Sequence, residues 1–136
     1  MRNHLIAKGL DESDDWALWI DIDVWKFTPD ILRKLISSGE RIVAPNCVLA
    51  PGGDTFDLNT FVTIRPKRDY RYYRNVIGGV YQPPANFRGR LALSDLRHLD
   101  RVEVHGVGGT MLLVDAALHR AGLLFPESRT RISSRP

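Results

Sequence analysis

Apolar residues gather most densely at Trp16-Ala17-Leu18-Trp19-Ile20, five in a row that run directly into Asp21-Ile22-Asp23. A segment apolar at every position, not at alternate ones, suits a strand buried on both faces, as in a parallel sheet covered by helices. After it, Thr28-Pro29-Asp30 carries the marks of a helix start: a capping hydroxyl, a proline at the first helical position and an acid in the first turn. Ile31, Leu32, Leu35 and Ile36 then share one helical face, and Gly39 closes the helix. Arg41-Ile42-Val43-Ala44 is a second short strand. Strand, helix and strand in this compass predict a βαβ unit, whose handedness sets the two strands parallel.

On either side the pattern is weaker. Arg2 to Lys8 predicts a short helix with Leu5 and Ile6 as its apolar positions and Gly9 as its stop, followed by the polar turn Asp11 to Asp15. From Pro45 to about Arg90 periodicity fades, and Pro51-Gly52-Gly53, Gly78-Gly79 and Pro83-Pro84 mark a long irregular insert. Its aromatic residues (Phe56, Phe61, Tyr70, Tyr72, Tyr73, Tyr81, Phe87) argue for a loop that builds a binding surface over plain disorder. Order returns at Leu93. Ser94 is placed to cap a short helix through Leu99, and Val102-Glu103-Val104 predicts a strand end. Beyond the turn His105 to Gly109 come a strand, Thr110 to Val114, and a helix, Ala116 to Ala121, capped by Asp115 and ended by Gly122.

Composition narrows the class. A chain of 136 residues is one domain's worth, and 43% hydrophobic with 26% charged residues is ordinary for a globular fold. No apolar run reaches the ~18 residues of a membrane helix. The single cysteine, Cys47, excludes an internal disulfide, and no Cys/His cluster has zinc spacing. The net charge of +3 is uneven: residues 65–74 carry +4 and residues 128–136 carry +3, which leaves −4 for the remainder. Basic residues interleaved with tyrosines suit nucleic acid, phosphates or acidic sugars, but a solvated loop is the more frequent meaning of such a run, and no nucleic-acid motif accompanies it.

The chemistry-bearing residues are few. If the backbone stays extended past Ile20, Asp21 and Asp23 point the same way from the strand's C-terminal end, placed to hold a hard divalent cation. Turn residues that simply end a strand are the alternative. Gly106-x-Gly108-Gly109 precedes a strand and lacks the Lys-Ser/Thr of a P-loop, so it is no nucleotide loop; it fits a close backbone approach or a plain turn. His105 stands just before it with no nucleophile nearby, Cys47 has nothing to activate it, and Asp57-Leu58-Asn59 places hydrogen-bonding groups in a loop.

Taken in order, Arg2-Asn3-His4-Leu5, Trp16-x-x-Trp19-x-Asp21-x-Asp23, Val43-x-Pro45-Asn46, Asp57-Leu58-Asn59 and Gly106-Val107-Gly108-Gly109-Thr110 resemble the mannan-polymerase type mannosyltransferases, glycosyltransferase family 62, best known from the fungal Golgi. The resemblance covers about residues 2 to 126. It implies an α/β, Rossmann-like GT-A fold with a mostly parallel sheet flanked by helices, here truncated, since the first βαβ half with most of the nucleoside pocket is absent. Residues 1–126 are then a partial glycosyltransferase domain, and 127–136 a basic, disordered tail. The implied reaction is transfer of mannose from GDP-mannose to a glycan acceptor, with retention, assisted by Mn2+ or Mg2+. By position, Asp21 and Asp23 hold the metal and, with Ile22, the donor. Asp57, Asn59, Gly106, Gly108 and Gly109 border the acceptor or sugar. The family usually carries Asp where this chain has His105, and Glu103 keeps an acid in the neighbourhood, so Glu103 and His105 are the catalytic candidates.

Two other functions compete with the enzyme. One is a non-catalytic fragment, or a scaffold or sugar-binding subunit of a transferase complex, joined to itself or to other chains through an exposed sheet edge. The other, nucleic-acid binding through residues 65–74, ranks last. The resemblance implies the Golgi lumen for a eukaryotic chain and the cytoplasm for a bacterial one.

Overall fold

The structure, a computed structural model, describes residues 1–64 and 89–126. The basic stretch at 65–74, most of the insert's aromatic residues and the tail at 127–136 lie outside the described residues. Helix α1 spans Arg2–Gly9, strand β1 Trp16–Ile20, helix α2 Ile31–Ser37 and strand β2 Ile42–Val43. Strands β3 (Phe61–Thr63) and β4 (Arg90–Ala92) follow, then a 3-10 turn at Leu93–Leu96, strand β5 (Met111–Asp115) and helix α3 (Ala116–Arg120). The chain forms two compact units, one made of Met1–Val43 and the chain from Leu112 onward, the other of Ala44–Met111.

The first unit is built on a three-stranded sheet in the order β1-β5-β2. Its centre is β5, where Met111, Leu112, Leu113 and Val114 are all buried and Leu113 and Val114 are 0% and 1% exposed. A strand in the middle of a sheet with both faces covered must be apolar at every position, and Met-Leu-Leu-Val meets that condition. The sequence assigns this role to β1 instead. In the structure β1 is an outer strand of this sheet, and its Leu18 and Ile20 are 36% and 41% exposed.

The predicted βαβ unit changes with it. β2 does not lie beside β1, because β5 stands between them. β2 runs antiparallel to β5, with Ile42 opposite Val114 and Val43 opposite Leu113. Helix α2 starts two residues later than its sequence marks suggest. Pro29 and Asp30 form a turn in which Ile31 N–H donates to Thr28 C=O (3.1 Å), and Asp30 becomes the cap residue. Asp30 pairs with Lys34 one turn on (3.0 Å), and only Leu35 of the predicted apolar face is fully buried. Gly39 ends the helix as expected: at φ +76 its N–H reaches back to Ile36 C=O, a conformation that costs a glycine little.

Helix α1 has no buried residue of its own and is held by side chains. Asn3 makes a two-way bond with the backbone of Phe125, its amide donating to Phe125 C=O and its carbonyl accepting from Phe125 N–H, both at 2.8 Å. The Phe125 ring meets Trp19 edge to face at 4.9 Å and lies 5.0 Å from the Arg2 guanidinium. Trp19 Nε1–H donates to Nε2 of the buried His119 (3.1 Å). The His119 proton must then sit on Nδ1, where it is given to Leu123 C=O at 2.7 Å. Helix α3 is capped as predicted, with Asp115 Oδ1 accepting from Ala117 N–H at 2.9 Å.

The second unit contains the antiparallel pair β3–β4, with Phe61, Val62 and Thr63 opposite Ala92, Leu91 and Arg90. The insert therefore closes as a pair of strands, invisible to periodicity because each is three residues long. The predicted strand Val102–Val104 is not one: Arg101, Val102 and Glu103 are exposed, and the pairing begins only at Gly106, which bridges Phe61. Ser94 does not cap. The 3-10 turn is started by Asp95, which accepts from Ala92 N–H (3.0 Å), while Ser94 and Thr55 exchange hydrogen bonds at 3.2 and 2.8 Å. Among the described residues no helix is long and apolar enough to cross a membrane.

If β5 is the core strand, Leu113→Ala destabilises the chain by about 2–5 kcal/mol in urea unfolding, and Leu18→Ala costs well under half as much. A second check concerns pH. Asp115 is held below the usual carboxylate range, first by the hydrogen bond from Arg41 (2.8 Å) and then by Ala117 N–H. A depressed carboxylate lends stability that is fully present above the unfolded value, near pH ~3.9, and is lost as pH falls through the folded one. Asp115→Asn therefore flattens the acid limb of a stability–pH curve below about pH 4.

Candidate functional site

In the first unit, Asp21 is the residue after β1, and the backbone does not remain extended there. Ile22 and Asp23 form a turn closed by Val24 N–H on Asp21 C=O at 3.0 Å. The premise that put both carboxylates on one side of a strand therefore does not hold. Asp21 is partly buried and ion-paired with Arg2, whose long side chain spans from α1 over the Phe125 ring to the end of β1. Asp23 is exposed and unpaired among the described residues, and Ile22 is fully exposed.

Hard carboxylate oxygens are the right chemistry for Mn2+ or Mg2+, and two of them stand two residues apart. The charge of one is already offset by Arg2, and among the described residues no group of three metal-binding side chains comes together. Asp21 and Asp23 are the residues that would hold a cation here, and Asp21 would ligate one only by exchanging the Arg2 guanidinium for it.

In the second unit, most of the other candidates come together in one knot. Asp57 begins an Asx turn: its Oδ1 accepts from Asn59 N–H (3.1 Å), and its C=O accepts from Thr60 N–H (3.1 Å). Its Oδ2 accepts from Thr110 N–H at 3.3 Å. The carboxylate lies so close to Gly108 that a Cβ there would land on it. Gly108 N–H donates to the hydroxyl of buried Thr60 at 2.9 Å. Gly106 lies against the Phe61 ring and the Asn59 C=O, and a Cβ would collide with the ring. Phe61 C=O accepts from both His105 and Gly106 (2.9 and 3.3 Å), and Phe61 N–H donates to Gly106 C=O at 3.1 Å. Gly106 and Gly108 are thus required by close approach, the first of the two meanings that the sequence allows.

The knot sorts the candidates. Both Asp57 oxygens are engaged by backbone amides, so Asp57 holds the 57–60 loop on the glycine turn. The Asn59 side chain is exposed and without a hydrogen bond among the described residues. Glu103 is exposed and makes no ion pair among them, and His105 is exposed but anchored, its Nδ1 accepting from Thr63 N–H at 3.0 Å. Sequence reasoning missed Arg2, Thr60 and Thr63 as partners. Arg2 was visible only as part of a motif, and a buried threonine hydroxyl leaves no periodic trace.

If the carboxylate–glycine contact is tight, Gly108→Ala destabilises the second unit by about 1–3 kcal/mol in denaturant unfolding. The control Gly9→Ala, at a helical glycine with open space around it, changes stability by less than about 1 kcal/mol.

The Anp1 family model matches residues 1–129 of the chain. The mannan polymerase complex subunit mnn9 of Schizosaccharomyces pombe is 28% identical over 134 residues, covering 92% of this chain and 40% of that protein. The mannan polymerase II complex anp1 subunit of the same organism is 30% identical over 137 residues, covering 92% of this chain and 32% of that protein. A vanadate resistance protein of Candida albicans is 26% identical over 138 residues, covering 92% of this chain and 31% of that protein. The chain thus spans two fifths or less of the length of these relatives. No solved structure matches it.

Proposed function

This chain belongs to the Anp1 family, and from that premise we propose that it is part of a glycosyltransferase that adds mannose, from GDP-mannose, to a glycan acceptor. The observation that carries the reading is the family match along nearly the whole chain, joined to relatives named as mannan polymerase complex subunits. Complex membership, a GT-A architecture completed outside these residues and a place in the Golgi lumen belong to the same proposal. In it, Asp21 and Asp23 hold the cation and the donor's diphosphate, and the knot around Gly106 and Gly108 presents the acceptor-side surface. When bound, manganese supplies positive charge against the departing nucleoside diphosphate.

A second reading has one observation in its favour. Asp21 is already ion-paired with Arg2, as it would be in a subunit that scaffolds a transferase without performing the transfer. Thermal melting separates the two. For the enzyme reading, Mn2+ with GDP-mannose at about a hundredfold excess over Kd raises the melting temperature by roughly 5–10 °C. Asp23→Ala abolishes the rise, and Arg2→Gln enlarges the response to Mn2+ alone because Asp21 is released. No response from the wild-type chain or from Arg2→Gln leaves the scaffold reading.

A further inference from the structure

We propose that His105 is a hydrogen-bond donor to a hydroxyl oxygen of the glycan acceptor, fixed in the Nε2–H tautomer, and not a general base. The proposal rests on the function read above and assigns a role to one residue within it. A backbone amide is a donor in every state, so Thr63 N–H at 3.0 Å from Nδ1 requires that nitrogen to be an acceptor without a proton. Neutral imidazole carries one N–H, and it must then be on Nε2. A general base needs an open nitrogen lone pair. Nδ1 is filled by Thr63, and Nε2 already bears a proton.

The ring's position is set by β3 through two bonds on one residue: the backbone N–H of His105 on Phe61 C=O (2.9 Å) and the side chain on Thr63 N–H. The adjacent Gly106 pairs with Phe61 from the same segment. Anchored at Nδ1 and exposed otherwise, the imidazole presents its Nε2–H beside the glycine turn. His119 makes the contrast. It is buried, its Nε2 accepts from Trp19, and its proton sits on Nδ1, with both nitrogens consumed inside the fold. Of these two ring-bonded histidines among the described residues, His105 is the one that retains an N–H for a ligand.

The test has two readouts on the full chain. Nitrogen-detected NMR of the histidine rings at neutral pH, with His105 assigned by its loss in His105→Asn, is expected to show the Nε2–H tautomer. An Nδ1–H tautomer overturns the assignment of His105 by itself. His105→Asn places an amide oxygen where Nδ1 was, keeping the Thr63 bond while deleting the outer N–H. It is expected to melt within a few degrees of wild type and to bind α-linked mannobiose roughly 3–10-fold more weakly. His105→Gln, whose amide nitrogen reaches the Nε2 position, is expected to recover part of that loss. Unchanged mannobiose binding by His105→Asn overturns the proposal. A wild-type chain that binds neither methyl α-mannoside nor mannobiose overturns the function reading and a mannoside as the ligand of His105, while the tautomer measurement still decides the donor assignment.

Discussion

Burial of β5 is the constraint on which the first unit depends. Four successive apolar side chains leave water there, and every element that touches the strand is fixed by that requirement. β2 supplies two residues of pairing, and Arg41 and Asp115 tie the same two strands through both backbone and side chain. Capping by Asp115 turns the end of β5 directly into α3, which carries His119 to Trp19. Position thus passes from the buried strand to the helix and on to the aromatic cluster that holds α1. Asp21 inherits its surroundings at the end of this series, because Arg2 reaches it from α1.

Elements were legible where local chemistry alone decides them. α1, α2 and α3 were found because glycine stops, an Asp cap and helical spacing act within a few residues. β1 and β5 were found because a run of apolar residues has few other uses. What could not be read was which run would sit in the middle, since Trp16–Ile20 and Met111–Val114 are alike in pattern and differ only in what covers them. β3 and β4 were hidden for another reason. Three residues are too few to establish a period of two, and their pairing depends on contacts nearly thirty residues away.

The candidate site was legible as a set of residues and less so as a set of roles. Asp57, Gly106 and Gly108 were named from motif order, and the structure brings them into one knot. There Asp57 turns out to be spent on backbone amides, which a sequence cannot reveal because it does not say where an N–H points. Asp21 is the harder case. Spacing by two residues implied a shared direction on the assumption of a continuing strand, and a turn at Ile22–Asp23 removes that assumption. The neutralising partner, Arg2, lies nineteen residues away on another element.

The bond between Asn3 and Phe125 joins residues 122 positions apart, and this sets an order in time. The second unit is one continuous stretch, so a ribosome can release all of it for folding before Leu112 and the residues after it are made. The first unit is discontinuous, and α1 waits for Phe125 to emerge before Asn3 has that partner. β1 and β5 likewise meet only after the whole intervening second unit has been made. Until then, the apolar residues of β1 have no β5 to pair with and stay exposed to water.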